Sequence, residues 1–278
     1  HFPPAFALVK LAWLRENQPD IVERTRCFLH AADFIVGRLT GDYSVSDTSN
    51  ALKTGVDLID RTWPDFIETE LGLPLDRFPR VVFPGEKVGE LSQGAADETG
   101  LPVALPVIAG ASDGTASFLF TGAGKPGDWA LTIGTTIVTR GVSKDLVRDP
   151  LGRMYCHRHP EGYWLPGGAS NVGGESLLKT FGADQIDALD EHAHEYIPTD
   201  LVVYPLVRRG ERMPFVSSAA EGFVLGDPTN DTERFAAYLE GIAMMTAWSV
   251  WEASALGAAD NGDYYLCGGA AKGQVLPM

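Results

Sequence analysis

The sequence has little of what would place it in several large functional classes. Its three cysteines, Cys27, Cys156 and Cys267, are odd in number and widely spaced, with no C-x-x-C pair. That argues against a disulfide framework or a zinc ribbon and fits a reducing, cytoplasmic setting. No stretch approaches the roughly 18 consecutive apolar residues of a membrane span. Lys and Arg number 22 against 37 Asp and Glu, a formal charge of −15, and no basic cluster stands out. An electrostatic grip on nucleic acid is therefore not expected. There is no internal repeat, no low-complexity tract and no G-x-x-x-x-G-K-[ST] phosphate loop. Gly122 to Gly127 does match G-x-G-x-x-G. It contains Pro126, follows a helical pattern and precedes a strand, the reverse of a dinucleotide fingerprint. The pairs His157/His159 and His192/His194 have no third ligand in view, so no protein-held metal is expected.

What is present is an ordinary globular composition. Of 278 residues 45% are apolar, enough for two modest domains or one large one. Helical spacing runs over 5–17 to a stop before Pro19, and again over 25–39, with Gly41 as the closing residue. A polar loop follows, "GDYSVSDTSNALKTGVD", then a short helix around 63–71. "LPVALPVIAG" reads as a buried strand, "ASDG" as a turn and "TASFLFTGA" as a helix. "GKPG" at 124–127 reads as a joint between domains. A strand, turn and strand follow over 129–139, and another helix opens near 170. A long helix spans 231–257, with Asn230 as N-cap, Glu233 as its partner and Gly257 at its end. Its apolar stripe, Phe235, Leu239, Ile242, Met245 and Trp248/Trp251, reads as core. Mixed strands and helices indicate an α/β architecture.

Two kinds of feature point to chemistry. Asp113 lies where an apolar strand gives way to a helix, the edge at which α/β proteins collect ligands. The residues alone leave two roles open: a carboxylate held ionised by the helix terminus, or a simple cap. Three glycine-rich turns each follow a strand-like run: "IGTT" at 133–136, "PGGASNVGG" at 166–174 and "CGGAA" at 267–271. Glycine lets backbone approach a ligand, and free amides bind phosphate oxygens. Three such turns with one carboxylate point to a nucleotide cleft.

The ordered set "VIAGASDGTASFLFTGAGKPGDWALTIGTTIVTRG", "PGGASNVGG", "YPLVRRGERMPF", "LEGIA" and "LCGGAAKG" resembles the FGGY family of carbohydrate kinases. The upstream "HAADFIVGRLTGDYSVSDTSNALKTGVDL" and "PGEKVGELS" are similar to that family's first domain. The resemblance is nearest to its xylulokinase-like and ribulokinase-like group. It implies an α/β, two-lobed actin/hexokinase-type (ribonuclease H-like) ATPase fold, with residues 1–123 in a sugar-side domain and 124–278 in a nucleotide-side domain. It implies phosphorylation of a ketopentose such as D-xylulose or D-ribulose by ATP with Mg²⁺. Kinases for glycerol or gluconate, or a non-catalytic relative, are the alternatives. Asp113 matches the family's catalytic base. Gly134, Thr135 and Thr136 match its phosphate-contacting hairpin. Gly268, Gly269 and Ala270 match the turn beside the adenosine. Gly168, Asn171, Gly173 and Gly174 fall in a nucleotide-side segment. Arg212, in "GERMPF", reads as structural. Ala270 and Thr136 replace the family's usual Gly and Ser, both mild changes. The family's opening Asp-bearing hairpin and its final helices are not matched, both ends read as cut, and a fragment inactive by itself is the expectation. The partners implied are a small sugar and, as an open alternative, a second copy in a homodimer, with no nucleic acid and no membrane.

Overall fold

The computed structural model describes residues 6–273, 275 and 276. The chain divides into two compact units, His1–Ala116 with His157–Gly162, and Ser117–Cys156 with Tyr163–Met278. The division falls within a helix at 116/117. The Gly124–Gly127 turn, the expected joint, lies inside the second unit. Among the described residues no helix is long and apolar enough to cross a membrane.

The first unit opens with α1 (Ala7–Asn17), which ends at Gln18, and α2 (Pro19–Arg24), where Pro19 takes the first helical position. The helix expected over 25–39 is shorter, α3 (Ala31–Thr40). The Asp33 carboxylate accepts the His30 amide at 2.9 Å, which closes a capping box and fixes the start at Ala31. Gly41 ends it in the left-handed conformation, as expected. The polar loop after it contains β1 (Val45–Asp47) and a single turn, α4 (Thr48–Ala51). Beyond α5 (Phe66–Thr69), β2 (Arg80–Val82) pairs in parallel with β1. β3 (Lys87–Glu90) and, after α6 (Gln93–Thr99), β4 (Pro106–Ile108) form an antiparallel pair. The "LPVALPVIAG" run is not a buried strand. β4 has three residues, of which only Val107 is buried, while Leu101, Val103, Leu105 and Ile108 are exposed. A two-stranded ribbon packed on one face buries alternate residues only. Two apolar clusters support the unit, one around Leu8, Ile67 and Leu73, the other around Val45, Val88 and Val107.

α7 (Asp113–Leu119) leads into the second unit. Its sheet is built from β5 (Trp129–Ile133), β6 (Ile137–Gly141), β7 (Tyr155–Arg158), β8 (Trp164–Ala169) and a later strand, β11 (Tyr264–Cys267). The order is β11-β5-β6-β8-β7, antiparallel for β5/β6 and β6/β8 and parallel for β11/β5. Trp129 is fully buried beside Gly141, directly across the ladder, where any Cβ would collide with the indole. Between β8 and β11 come α8 (Glu175–Phe181), α9 (Ile186–Ala193), the ribbon β9 (Val202–Tyr204)/β10 (Phe223–Leu225) and α10 (Asp231–Ala255).

Asn230 caps α10 through the Glu233 amide at 2.9 Å, as expected. Glu233 itself turns to the amide and hydroxyl of Thr229 rather than to Asn230. Phe235, Leu239, Ile242 and Met245 are buried against Ile133 and Ile137, and the buried face continues through Ser249, Val250 and Ala253 rather than through the tryptophans. Trp248 and Trp251 are 40% and 64% exposed, a correction to the core reading. Trp248 lies against Phe215 and donates its indole N–H to Glu252, so its polar edge stays outside.

The Gly124–Gly127 turn is fastened by Asp128, which is 3% exposed. Its carboxylate accepts the amides of Gly124, Lys125 and Asp263 at 3.1, 2.9 and 3.1 Å. Burial alone would raise its pKa, but the three amides favour the anion and hold it below the usual carboxylate range. A depressed folded pKa gives stability present above the unfolded value and lost as pH falls through the folded one. Asp128→Ala is therefore expected to cost on the order of 2–3 kcal/mol at neutral pH. Thermal unfolding at pH 7 and pH 3 should show the gap between variant and parent closing in acid. A melting temperature unchanged at pH 7 would refute it.

Candidate active site

The β5–β6 connection is the centre of the second unit's chemistry. Ile133 and Ile137 are the last paired residues, leaving Gly134, Thr135 and Thr136 as the turn, with the Gly134 amide donating to the Thr136 carbonyl at 3.1 Å. Thr135 is exposed and Thr136 half-buried. Their two amides, and that of Gly173, donate to no acceptor among the described residues. Gly134 is not in the left-handed region, and a Cβ placed on it would meet nothing within 4 Å. The chain itself does not require glycine there.

One side of the turn is braced by residues 170–174. Ile137 donates to the Val172 carbonyl at 2.7 Å, Ser170 to that of Ile137 at 3.0 Å, and Gly174 to that of Gly134 at 2.7 Å. Gly173 lies so close that a Cβ would sit 2.6 Å from the Thr135 oxygen and the Thr136 Cα. On the other side β11 runs beside β5 with Cys267 opposite Thr132. Gly268, at φ 94°, then packs on Ile133, where a Cβ would sit 2.4 Å from the carbonyl oxygen. Gly269 and Ala270 follow in a short 3₁₀ turn, Gly269–Lys272. Gly269 and Lys272 border a hollow of about 420 Å³ that also involves Leu177, Asp187, Asp190 and Phe235. A larger, mostly apolar hollow of about 530 Å³ borders β5, α10 and β11 and offers few polar groups.

The structure thus gathers Gly134, Thr135, Thr136, Gly173, Gly174 and Gly268 at one end of the sheet, with Gly269 and Ala270 next in the chain. Two residues of the expected set are placed differently. Gly168 is within β8, paired with Thr139, and Met213 fills the space a side chain would take. The Asn171 side chain is committed to the Gly210 carbonyl at 2.9 Å, while its backbone belongs to the brace.

Glu211, not singled out in the sequence, holds the brace in place. It is 4% exposed. One carboxylate oxygen accepts the amides of Asn171 and Arg212 at 2.7 and 2.9 Å. The other accepts the hydroxyls of Ser170 and Tyr204 at 2.8 and 3.1 Å. None of these four donors is a cation. Burial, with the neighbouring carboxylate, pushes the Tyr204 hydroxyl pKa far up, so it remains a donor at any physiological pH. The signal in the sequence was Glu211 beside Arg212 in a glycine-led apolar stretch, where the cation drew attention first.

Asp113 belongs to the first unit. The cap position of α7 is taken by Ser112, whose carbonyl accepts the amides of Thr115 and Ala116 at 3.0 and 2.9 Å. Asp113 is the first helical residue and is exposed. One of its oxygens accepts the Gly114 amide at 2.7 Å, and the second takes no hydrogen bond from the described residues. His159 is buried, which lowers its pKa, and His192 lies on the surface beside Glu195. Among the described residues no group of three or more His, Cys, Asp or Glu could hold a metal ion.

Residues 2–120 match the model of the FGGY family of carbohydrate kinases, N-terminal domain. L-fuculokinase of Escherichia coli K12 is 36% identical over 128 residues, 46% of this chain and 27% of that protein. Gluconokinase of Bacillus subtilis is 28% identical over 239 residues, 80% of this chain and 46% of that protein. The crystal structure of xylulose kinase from Rhodospirillum rubrum superposes with a TM-score of 0.85 at 26% identity, over 99% of this chain and 57% of that one. The chain spans about half the length, or less, of the curated relatives it matches. Its α/β fold is that of these actin/hexokinase-type sugar kinases.

The close packing at the turn makes two measurable demands. Gly173→Ala is expected to destabilise by about 1–3 kcal/mol through overpacking on the hairpin backbone. Glu211→Ala is expected to lose about 2 kcal/mol, because it strands the buried Ser170 hydroxyl together with the part-buried amides of Asn171 and Arg212. Denaturant unfolding checks both, and wild-type midpoints would refute the close-packed turn.

Proposed function

We propose that the chain is part of an FGGY-family carbohydrate kinase, as the match of residues 2–120 and the likeness to a xylulose kinase structure support, and that the complete protein transfers the terminal phosphate of ATP to a hydroxyl of a small sugar. The substrate we favour is a ketopentose such as D-xylulose or D-ribulose, for which the likeness to a xylulose kinase fold speaks. The similar gluconokinase and L-fuculokinase make sugar acids and deoxyketoses the alternatives within the same reaction.

The observation that carries the reading is the Gly134–Thr136 turn. Its glycine is required neither by φ nor by a neighbour, its two following amides are uncommitted, and its flanks are locked. That is how a backbone site for phosphate oxygens is built: donors fixed in advance and space kept clear. Phosphoryl transfer needs chiefly positioning and charge stabilisation. In this reading the hairpin amides and the Thr135 and Thr136 hydroxyls hold the phosphates. The Gly269–Lys272 turn and its hollow take the nucleoside. Mg²⁺ bound to ATP would supply neutralisation of the phosphate charge. Asp113 orients the sugar hydroxyl and takes its proton as the new O–P bond forms and ADP leaves. A carboxylate is in general a weak base, which suits a proton given up late.

The complete protein should release ADP from Mg·ATP with at least one member of a panel of ketoses, polyols and sugar acids. No release with any of them would sink the enzyme reading in favour of a binding protein. Asp113→Asn is expected to lower kcat by about a thousandfold, within the range for a lost general base. Gly134→Ala should be more telling. Its melting temperature should be that of the parent, yet its KM for ATP should rise about tenfold or more, because the methyl enters space kept for phosphate. An unchanged KM would remove the hairpin from the phosphate site.

A further inference from the structure

Asp113 is tied to a distant part of the first unit by a short relay of hydrogen bonds. Asp47 ends β1 and is 3% exposed. Its carboxylate accepts the amides of Ser49 and Asn50 at 2.8 and 3.2 Å and the Asn50 side-chain amide at 2.5 Å, so it caps α4 and cannot turn. It also accepts the Ser49 hydroxyl at 2.5 Å. That same hydroxyl oxygen accepts the backbone amide of Ser112 at 2.8 Å, across 63 residues of sequence. A hydroxyl has one proton to give. Since Asp47 takes it, the lone pairs of Ser49 are what Ser112 meets. Ser112 is the residue that caps α7, and Asp113 is the next one.

We propose that Asp47 and Ser49 are positioning residues for Asp113. The relay fixes the Ser112 amide, hence the plane of the peptide from which α7 starts, hence where the Asp113 carboxylate stands. The need for it is plain from what Asp113 lacks. It is exposed, and its one hydrogen bond is to the adjacent Gly114 amide, so its own side-chain contacts do not fix its place. Gly110 and Gly114 lie on either side of it, and a methyl added to either would meet nothing within 4 Å, so the nearest packed residue is Thr115, fully buried two positions on. A base that must meet a hydroxyl to within a fraction of an ångström is here placed from behind, through backbone.

The proposal rests on the reading of Asp113 as the base, and the experiment separates the two. In the full-length enzyme Ser49→Ala is expected to lower kcat about ten- to a hundredfold, with KM for ATP within about twofold. Ser49→Thr restores the hydroxyl and should recover most of that loss. Asp47→Asn keeps an acceptor for the α4 cap but weakens the hold on the Ser49 proton. It should give the same split between kcat and KM, and it carries the test should Ser49→Ala fail to fold. Turnover is expressed per folded protein, measured by circular dichroism. In an Asp113→Asn background Ser49→Ala should lower the residual turnover no further, since the group it positions is gone. Equal losses in both backgrounds, or full turnover in Ser49→Ala beside an impaired Asp113→Asn, would overturn the positioning role alone. Full turnover in Asp113→Asn would overturn the reading of the base, and the positioning role with it.

Discussion

Backbone packed directly on backbone around the Gly134–Thr136 turn is the constraint on which the second unit's site depends. Gly173 lies against Thr135 and Thr136, Gly174 donates to the Gly134 carbonyl, and Gly268 lies on Ile133. Each contact is closer than any side chain allows. The turn is therefore clamped from the strand on either side, and its conformation does not depend on its own sequence. A hairpin tip usually moves because its residues have few partners. This one is held by the residues beneath it, and the amides of Thr135 and Thr136 donate to no acceptor among the described residues.

Buried carboxylates do the holding elsewhere. Asp47, Asp128 and Glu211 are each nearly inaccessible, and each accepts three or four hydrogen bonds from neutral donors, most of them backbone amides. A carboxylate with several amide donors is a strong, directional clamp, whereas an ion pair adds charge but less geometry. The balance is sensitive to the number of donors. Asp128 has three amides and its pKa falls; Asp33 has one, from His30, and burial raises its pKa instead. Arg153 adds a cation to a clamp of the same kind: its guanidinium is shared by Asp149 and Glu252 at 3.0 and 2.5 Å. Asp149 also accepts the amides of Leu151, Arg153 and Met154 at 3.0, 2.7 and 3.1 Å, which fastens the 149–154 loop. An acidic protein thus uses part of its negative charge as internal staples for loops.

Much of this was legible in the sequence, and the rest for identifiable reasons was not. The hairpin, its two flanking glycine turns, the long helix and its Asn230 cap follow from local rules: period, cap chemistry and glycine placement. The α/β, sugar-kinase fold followed from motif order. What local rules missed depends on partners far along the chain. Trp248 and Trp251 continue the stripe of α10 in period but not in burial, because Val250 and Ala253, not the tryptophans, are the residues that pack with Trp129 of β5 at that end. Gly168 looks like the rest of its glycine-rich run, yet it is a strand residue made small by Met213, 45 positions on. Glu211 and Asp47 carry no motif of their own. Their importance lies in which amides surround them, and that is decided by folding.

The same contrast divides the glycines of the site by cause. Gly173 and Gly268 are glycine because the chain leaves no room, and Gly268 also because φ is positive. Gly134 and Gly269 satisfy neither condition; a methyl on either would point into open space. A residue that loses more conformational freedom on folding than any other is costly to keep where the fold does not need it. Gly94, Gly110 and Gly114 share that property, so it is the combination with uncommitted amides and locked flanks at Gly134 that supports the proposed close approach of a ligand. A phosphate is such a ligand, since it is bound through amides and tolerates no intervening side chain. A sugar is bound through side-chain hydrogen bonds to its hydroxyls, which any polar residue in reach can provide. The phosphate end of such a site is therefore written in the backbone, as glycines without a structural cause. A sugar end would be written in scattered side chains instead, and the proposed role of Ser49 and Asp47 on Asp113 is a positioning of that kind.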